Sequence, residues 1–73
     1  MQAESANIQI TVNGETRSVP AGQPLQGLIE ALGLTDRRIA VEVNEQLVPR
    51  SELPERVVAP GDRVEIVHAI GGG

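Results

Sequence analysis

Two runs of alternating apolar residues, near opposite ends of a 73-residue chain, constrain its fold more than any other feature. In the first, Ile8, Ile10 and Val12 share one face while Gln9, Thr11 and Asn13 take the other. In the last, Val64, Ile66, His68 and Ile70 alternate with Arg63, Glu65, Val67 and Ala69. A period of two belongs to a strand with one buried side, so β-structure is expected at both ends. Asn13-Gly14 follows the first run directly. That dipeptide tolerates the positive φ angles of a tight hairpin turn, and residues 16–19 are placed to return beside the first strand.

Between the two runs lies one helical stripe. Pro24 closes a turn cluster that begins at Pro20, and proline suits the first turn of a helix, where its missing N–H costs nothing. Leu25, Leu28, Ile29 and Leu32 stand at i, i+3, i+4 and i+7, which makes a single apolar face. Gly33 offers a left-handed stop. Gly27 disfavours this helix by about 1 kcal/mol relative to alanine, which predicts a close approach of helix and sheet there. Ile39, Val41 and Val43 alternate with Ala40, Glu42 and Asn44 as a third strand. Leu47-Val48 forms a short fourth after an Asn44-Glu45-Gln46 turn. Residues 50–59 contain Pro54, several charges and no sustained period, so they read as a surface excursion with one short helical turn. Pro60-Gly61-Asp62 then turns into the final strand.

This order predicts an α+β domain of the β-grasp, ubiquitin-like type: a mixed sheet of four to five strands crossed by one main helix. The last strand runs parallel to the first at the sheet centre, a pairing whose long crossover the helix and middle strands supply. Residues 1–73 make a single domain, with 1–6 as a polar, mobile lead-in and 71–73 as a glycine tail. A chain this short buries only about 60% of its unfolded surface. With no cysteine and no aromatic residue, packing of Ile, Val and Leu has to hold it together.

Composition also excludes functions. A net charge of −4 and a pI near 4.8 repel a phosphate backbone, and no aromatic ring is present to stack on bases, so nucleic acid is not expected as a partner. No apolar segment approaches membrane-spanning length, and the N-terminal stretch lacks the pattern of a signal peptide. The expected location is the cytoplasm, with no membrane partner. All six cations are arginines, suited to planar pairing with carboxylates or phosphates. No nucleophile–base pair, metal constellation or phosphate-cradling loop is present, so the chain is not expected to be an enzyme or to bind a metal or nucleotide. His68 reads as a plain strand-end residue and Asp62 as a turn cap. Glu42, Glu45, Glu52, Glu55 and Glu65 read as a solvated acidic surface.

The sequence closes on Gly71-Gly72-Gly73, directly after the final strand. Residues without Cβ atoms can run extended through a narrow passage and carry a terminal carboxylate into another protein's active site. The candidate reactive group is therefore the Gly73 carboxylate, with Gly71 and Gly72 as its leash. Ile70, Ala69 and Val67 lead into that tail and are candidate partner-binding residues, because an exposed apolar patch there would be a docking surface.

The hairpin at residues 8–14, Val41-Glu42-Val43-Asn44 followed by Val48-Pro49-Arg50, and the run from Pro60-Gly61-Asp62 to Val67 and the glycines together resemble the ThiS family, sulfur carriers of thiamine thiazole biosynthesis. The resemblance covers nearly all of residues 7–73. Length and the compact middle segment separate it from the similar small subunit of molybdopterin synthase. The resemblance implies that a ThiF-like enzyme uses ATP and Mg²⁺ to adenylate the Gly73 carboxylate. Sulfur from a persulfide donor, such as a cysteine desulfurase, then replaces AMP, and the thiocarboxylate passes to a ThiG-like thiazole synthase. On this reading the chain binds no cofactor itself and is a protein cosubstrate. The same fold and ending also suit a molybdopterin-type carrier, a ubiquitin-like protein modifier, or an interaction module with an inert terminus.

Overall fold

A computed structural model of the chain describes residues 6–35 and 38–68. Alternation becomes strand at both ends: β1 is Asn7–Val12, paired antiparallel with β2 at Glu15–Pro20. The helix α1 is Leu25–Ala31, followed by β3 at Ile39–Val43 and β4 at Gln46–Val48. A single 3₁₀ turn at Arg50–Glu52 precedes β5 at Arg63–His68. The five strands form one sheet in the order β2-β1-β5-β3-β4. β5 is central, parallel to β1 and antiparallel to β3, as the β-grasp reading requires. The expected lead-in falls outside the described residues except for Ala6, whose carbonyl accepts from the Ala21 N–H at 3.0 Å.

Both hairpins use two-residue turns with positive φ at each central position. Asn13 and Gly14 have φ of 51° and 86°, and Asn44 and Glu45 have 53° and 71°. These are the signs of a type I′ turn, whose twist matches that of the strands it joins. The second turn is one residue shorter than expected, because Gln46 already pairs with Val43.

One face of the sheet and the helix share a core. Ile10 and Val12 from β1, Val41 and Val43 from β3, and Val64 and Ile66 from β5 pack with Leu25, Leu28 and Ile29 of α1. Leu32 completes the helical stripe as a partly buried neighbour, and Gly33 leaves the helix at φ 75°. Gly27 does not mark a close approach to the sheet. A Cβ there would have atoms of Gln23 as its three nearest neighbours, the closest at 3.3 Å.

The segment 50–59 is more than a surface excursion. Leu53 and Val58 are buried with the core residues, and the segment caps the helix that has no capping side chain of its own. Pro24 precedes α1 as its N-cap and lacks both a polar side chain and an N–H. The free amides of the first turn go instead to main-chain carbonyls across the fold, Leu25 N–H to Arg56 at 2.8 Å and Gln26 N–H to Leu53 at 3.0 Å. Unpaired helix-end amides must find partners. Here they select an aperiodic segment whose buried residues follow no strand or helix spacing.

Candidate functional site

The residues expected to act, Gly73 with Gly71, Gly72, Ile70 and Ala69, lie outside the described residues. What the structure places is the strand from which they continue, and the means by which it is held. Val67 is the one expected partner-binding residue that it describes.

β5 is gripped from both sides by the two turn asparagines. On the β1 side, the Thr11 N–H donates to Asp62 O at 3.0 Å and the Asn13 N–H to Val64 O at 2.9 Å. β1 then turns away, and the Asn13 side chain takes up the ladder two residues further along. Its Oδ1 accepts from the Ile66 N–H at 2.8 Å, and its Nδ2 donates to Ile66 O at 3.2 Å. On the β3 side, the Asn44 N–H donates to Arg63 O at 2.8 Å, while the Arg63 N–H donates to Asn44 Oδ1 at 3.0 Å. Asn44 Nδ2 donates to Asp62 Oδ1 at 3.0 Å, and Asp62 Oδ2 accepts from the Ala59 N–H at 2.8 Å. Asp62 is buried and both of its oxygens are used, so it is the turn cap expected of it.

Turn chemistry pointed to Asn13 and Asn44 as backbone-tolerant residues, but nothing in the sequence indicated that their side chains reach the last strand. The only available sign was that asparagine, rather than glycine, stands first in each turn. An Asn in the left-handed region keeps an amide able to bond nearby main chain.

Away from the helix, the outer sheet face carries Val67 from β5, Ala40 and Glu42 from β3, and Leu47 from β4. Val67 is 56% exposed and Leu47 65% exposed. Ala40 is the cross-strand partner of Val67, and Glu42 is the partner of both Glu65 and Leu47. Like charges directly opposite each other in a sheet are unfavourable. The face thus combines exposed apolar groups with negative charge in excess. Arg63 and Glu45 approach at 3.4 Å on the same end of the sheet, with both side chains mostly in solvent. His68 is exposed and pairs with Ile39 at the end of the strand.

Nothing described here resembles a catalytic centre. An open depression is lined by Gln9, Ile10, Thr11, Thr16, Pro60 and Gly61, none of which titrates. Among the described residues no group of three or more His, Asp or Glu side chains is arranged to hold a metal ion. No helix among them is long and apolar enough to cross a membrane.

The model of the ThiS family matches residues 10–73. The chain belongs to the ThiS family. It is 32% identical to the sulfur carrier protein ThiS of Escherichia coli (strain K12) over 66 residues, 90% of this chain and 100% of that protein. The crystal structure of the thiamine biosynthesis protein ThiS from Geobacter metallireducens matches with a TM-score of 0.79 at 29% identity, covering 90% of this chain and 100% of that one. The chain is also 39% identical over 66 residues to the thiazole synthase of Paramagnetospirillum magneticum, but spans only 20% of that protein's length. In that relative a ThiS-like segment is one part of a larger polypeptide.

Proposed function

We propose that this ThiS-family chain is a cytoplasmic sulfur carrier of thiamine biosynthesis, and that the atoms it lends to the chemistry are those of the Gly73 carboxylate. The observation that carries this reading is the family match running through residue 73, on a fold that ends in a central, doubly braced strand. The whole-length likeness to the E. coli sulfur carrier adds to it.

A carboxylate is a poor acyl donor, and joining it to AMP as a mixed anhydride creates a good leaving group. ATP and Mg²⁺ belong to the adenylating partner, a ThiF-like enzyme. A persulfide donor such as a cysteine desulfurase supplies the sulfur: its terminal sulfur displaces AMP to give an acyl disulfide, and a thiol reductant then cleaves the S–S bond, leaving as a mixed disulfide with the donor's sulfur and freeing a thiocarboxylate on Gly73. The carrier contributes a handle, and the acidic, partly apolar outer face fits a partner surface with basic and apolar groups. Such complementarity raises encounter rates more than it tightens binding. The thiazole synthase relatives support thiazole synthase as the acceptor of the sulfur. In two of them the ThiS-like stretch forms 20% of the protein, so carrier and synthase occur in one polypeptide.

The test is intact-mass spectrometry after incubation with an adenylating enzyme, Mg-ATP and a sulfide source. The expected product is the chain with one oxygen replaced by sulfur at Gly73, competent to yield thiazole phosphate with thiazole synthase. Deleting Gly73, or extending the chain past it, is expected to abolish the mass change while the fold persists. A chain that stays unmodified under conditions that load a known ThiS overturns the reading, and so does an extended chain that still reacts.

A further inference from the structure

Three asparagines stand in the chain, and a different residue follows each: Asn7 precedes Ile8, Asn44 precedes Glu45 and Asn13 precedes Gly14. The next main-chain nitrogen can attack an asparagine at its side-chain amide carbon. A glycine in that place has no Cβ to hinder the approach, so Asn13 is the asparagine most open to the reaction. Nothing lies within 4 Å of the position a Cβ on Gly14 would take, so the main chain there borders open space.

The fold sets the two reacting atoms apart. Asn13 has φ 51°, and an L-residue in the left-handed region carries its Cβ beside its own carbonyl oxygen. The Gly14 nitrogen therefore lies on the far side of the Asn13 carbonyl carbon, away from the side chain. Ring closure needs a large rotation about the Cα–C bond, which takes Asn13 out of the turn. It also pulls the amide off Ile66, whose N–H donates to Asn13 Oδ1 at 2.8 Å and whose carbonyl accepts from Nδ2 at 3.2 Å.

We propose that Asn13 is a deamidation site gated by opening of this turn, and that its conversion unfastens the last strand. In the opened chain the Gly14 amide gives its proton to hydroxide, and its nitrogen bonds to Asn13 Cγ. The Cγ–Nδ2 bond breaks, and Nδ2 takes a proton from water and leaves as ammonia. Water then adds to one of the two carbonyl carbons of the cyclic imide. The bond from that carbon to the ring nitrogen breaks, the nitrogen regains a proton, and position 13 becomes aspartate or isoaspartate. Aspartate sets an ionised oxygen where the Nδ2 donor faced the Ile66 carbonyl, so two acceptors oppose each other. Isoaspartate routes the main chain through the side-chain carbons and lengthens a two-residue turn by one carbon. None of these steps involves Gly73, so the switch operates whatever chemistry the terminus undergoes.

The test is peptide mapping by mass spectrometry of the unsubstituted chain, held at mildly alkaline pH with and without guanidinium chloride. In denaturant, Asn13 is expected to exchange NH₂ for OH ahead of Asn7 and Asn44. In the folded chain its conversion is expected to be slower by about fivefold or more, the weight of the two hydrogen bonds that opening breaks. The slowing is also expected to be no smaller than the protection from hydrogen exchange at the Ile66 amide, which reports the same local opening. Conversion as fast in the folded chain as in the unfolded one overturns the gate, and so does a slowing smaller than the Ile66 protection. Unfolded chain that converts first at Asn7 or Asn44 overturns the assignment of the site. Asn13→Asp carries the product's side chain from the start. With the fold established by circular dichroism, it is expected to exchange the Ile66 amide about fivefold faster or more, and protection equal to that of the unsubstituted chain overturns the unfastening. An Asn13→Asp chain that fails to fold where Asn13→Gly folds supports it, because the carboxylate then opposes the fold beyond the mere loss of the amide.

Discussion

Asn13 holds both main-chain polar atoms of Ile66, 53 residues away in sequence, with its Oδ1 2.8 Å from the amide nitrogen and its Nδ2 3.2 Å from the carbonyl oxygen. The side chain replaces a stretch of β1 that the hairpin turn has removed, and so carries the parallel ladder to Ile66. On the proposed reading that Gly73 is the reactive group, this bond pair ties the strand that precedes the glycine ending to the opening hairpin.

Asn13→Gly keeps the left-handed turn and deletes only the amide. The loss of two hydrogen bonds is expected to cost about 1–3 kcal/mol in urea unfolding. Native-state hydrogen exchange at the Ile66 amide is expected to quicken more than exchange at Val41. Unchanged protection at Ile66 would show that the side chain contributes nothing to holding β5.

On the other flank, Asn44 and Asp62 form a joined pair that also ties down Ala59 and Arg63. Asp62 is 8% exposed, so Asp62→Ala leaves the Ala59 amide without its acceptor, at a cost of about 1–3 kcal/mol. A double-mutant cycle of Asp62→Ala with Asn44→Gly is expected to give a coupling of about 0.5 kcal/mol or more. Strict additivity of the two changes would mean that the Asn44–Asp62 bond is energetically idle.

Glu45 occupies the second central position of its turn at φ 71°, where glycine is the favoured residue. Its contact with Arg63 is long and solvated and contributes little. Glu45→Gly is therefore expected to raise stability by up to about 1 kcal/mol, because relief of left-handed strain outweighs the lost contact. Thermal unfolding reads the sign directly, and a destabilised variant would mean that the Arg63–Glu45 pair matters more than its exposure suggests.

Gly27 sits within α1, with Gln23 side-chain atoms beside the place its Cβ would occupy. Alanine there gains about 1 kcal/mol of helix preference and asks the Gln23 side chain to shift by a few tenths of an ångström. Gly27→Ala is expected to stabilise the fold by about 0.5 kcal/mol or more. Destabilisation in chemical unfolding would mean that the Gln23 side chain cannot give way.

How far the sequence foretold these features follows from the range of the forces involved. β1, β3, β5 and α1 were legible because each repeats an apolar residue at the period of its own backbone, as Ile10 and Val12 or Leu25, Leu28 and Ile29 do. The first turn was legible because Asn13-Gly14 states its own φ signs. Leu53 and Val58 were not, since their burial is set by the helix-end amides of Leu25 and Gln26 rather than by any local period. The reach of Asn13 to Ile66 and of Asn44 to Asp62 depends on sheet order, which pattern alone supplies only after the fold is assumed. Gly27 misled for a related reason: a helical glycine does not name what stands beside it, which here is the Gln23 side chain and not the sheet. At the candidate site, the glycine ending and the carboxylate were read directly from composition and order, whereas the bracing of β5 needed coordinates.

Val67 offers the sharpest test of the handle itself. It lies on β5 two residues before Ala69, faces away from the core, and is 56% exposed, so the fold does not require its apolar side chain. An arginine tolerates such a strand position, and Val67→Arg is expected to change unfolding free energy by no more than about 0.5 kcal/mol. In the sulfur-loading reaction the same change sets a charge against the apolar part of the partner surface, where burial without a counter-charge is costly. Loading is expected to fall about tenfold or more at low carrier concentration and to recover largely at high concentration, because docking is weakened while the Gly73 carboxylate is untouched. If loading proceeds at the unsubstituted rate, the face around Val67 is not where the partner lands. If it falls equally at all carrier concentrations, the residue acts on the transfer step and not on docking.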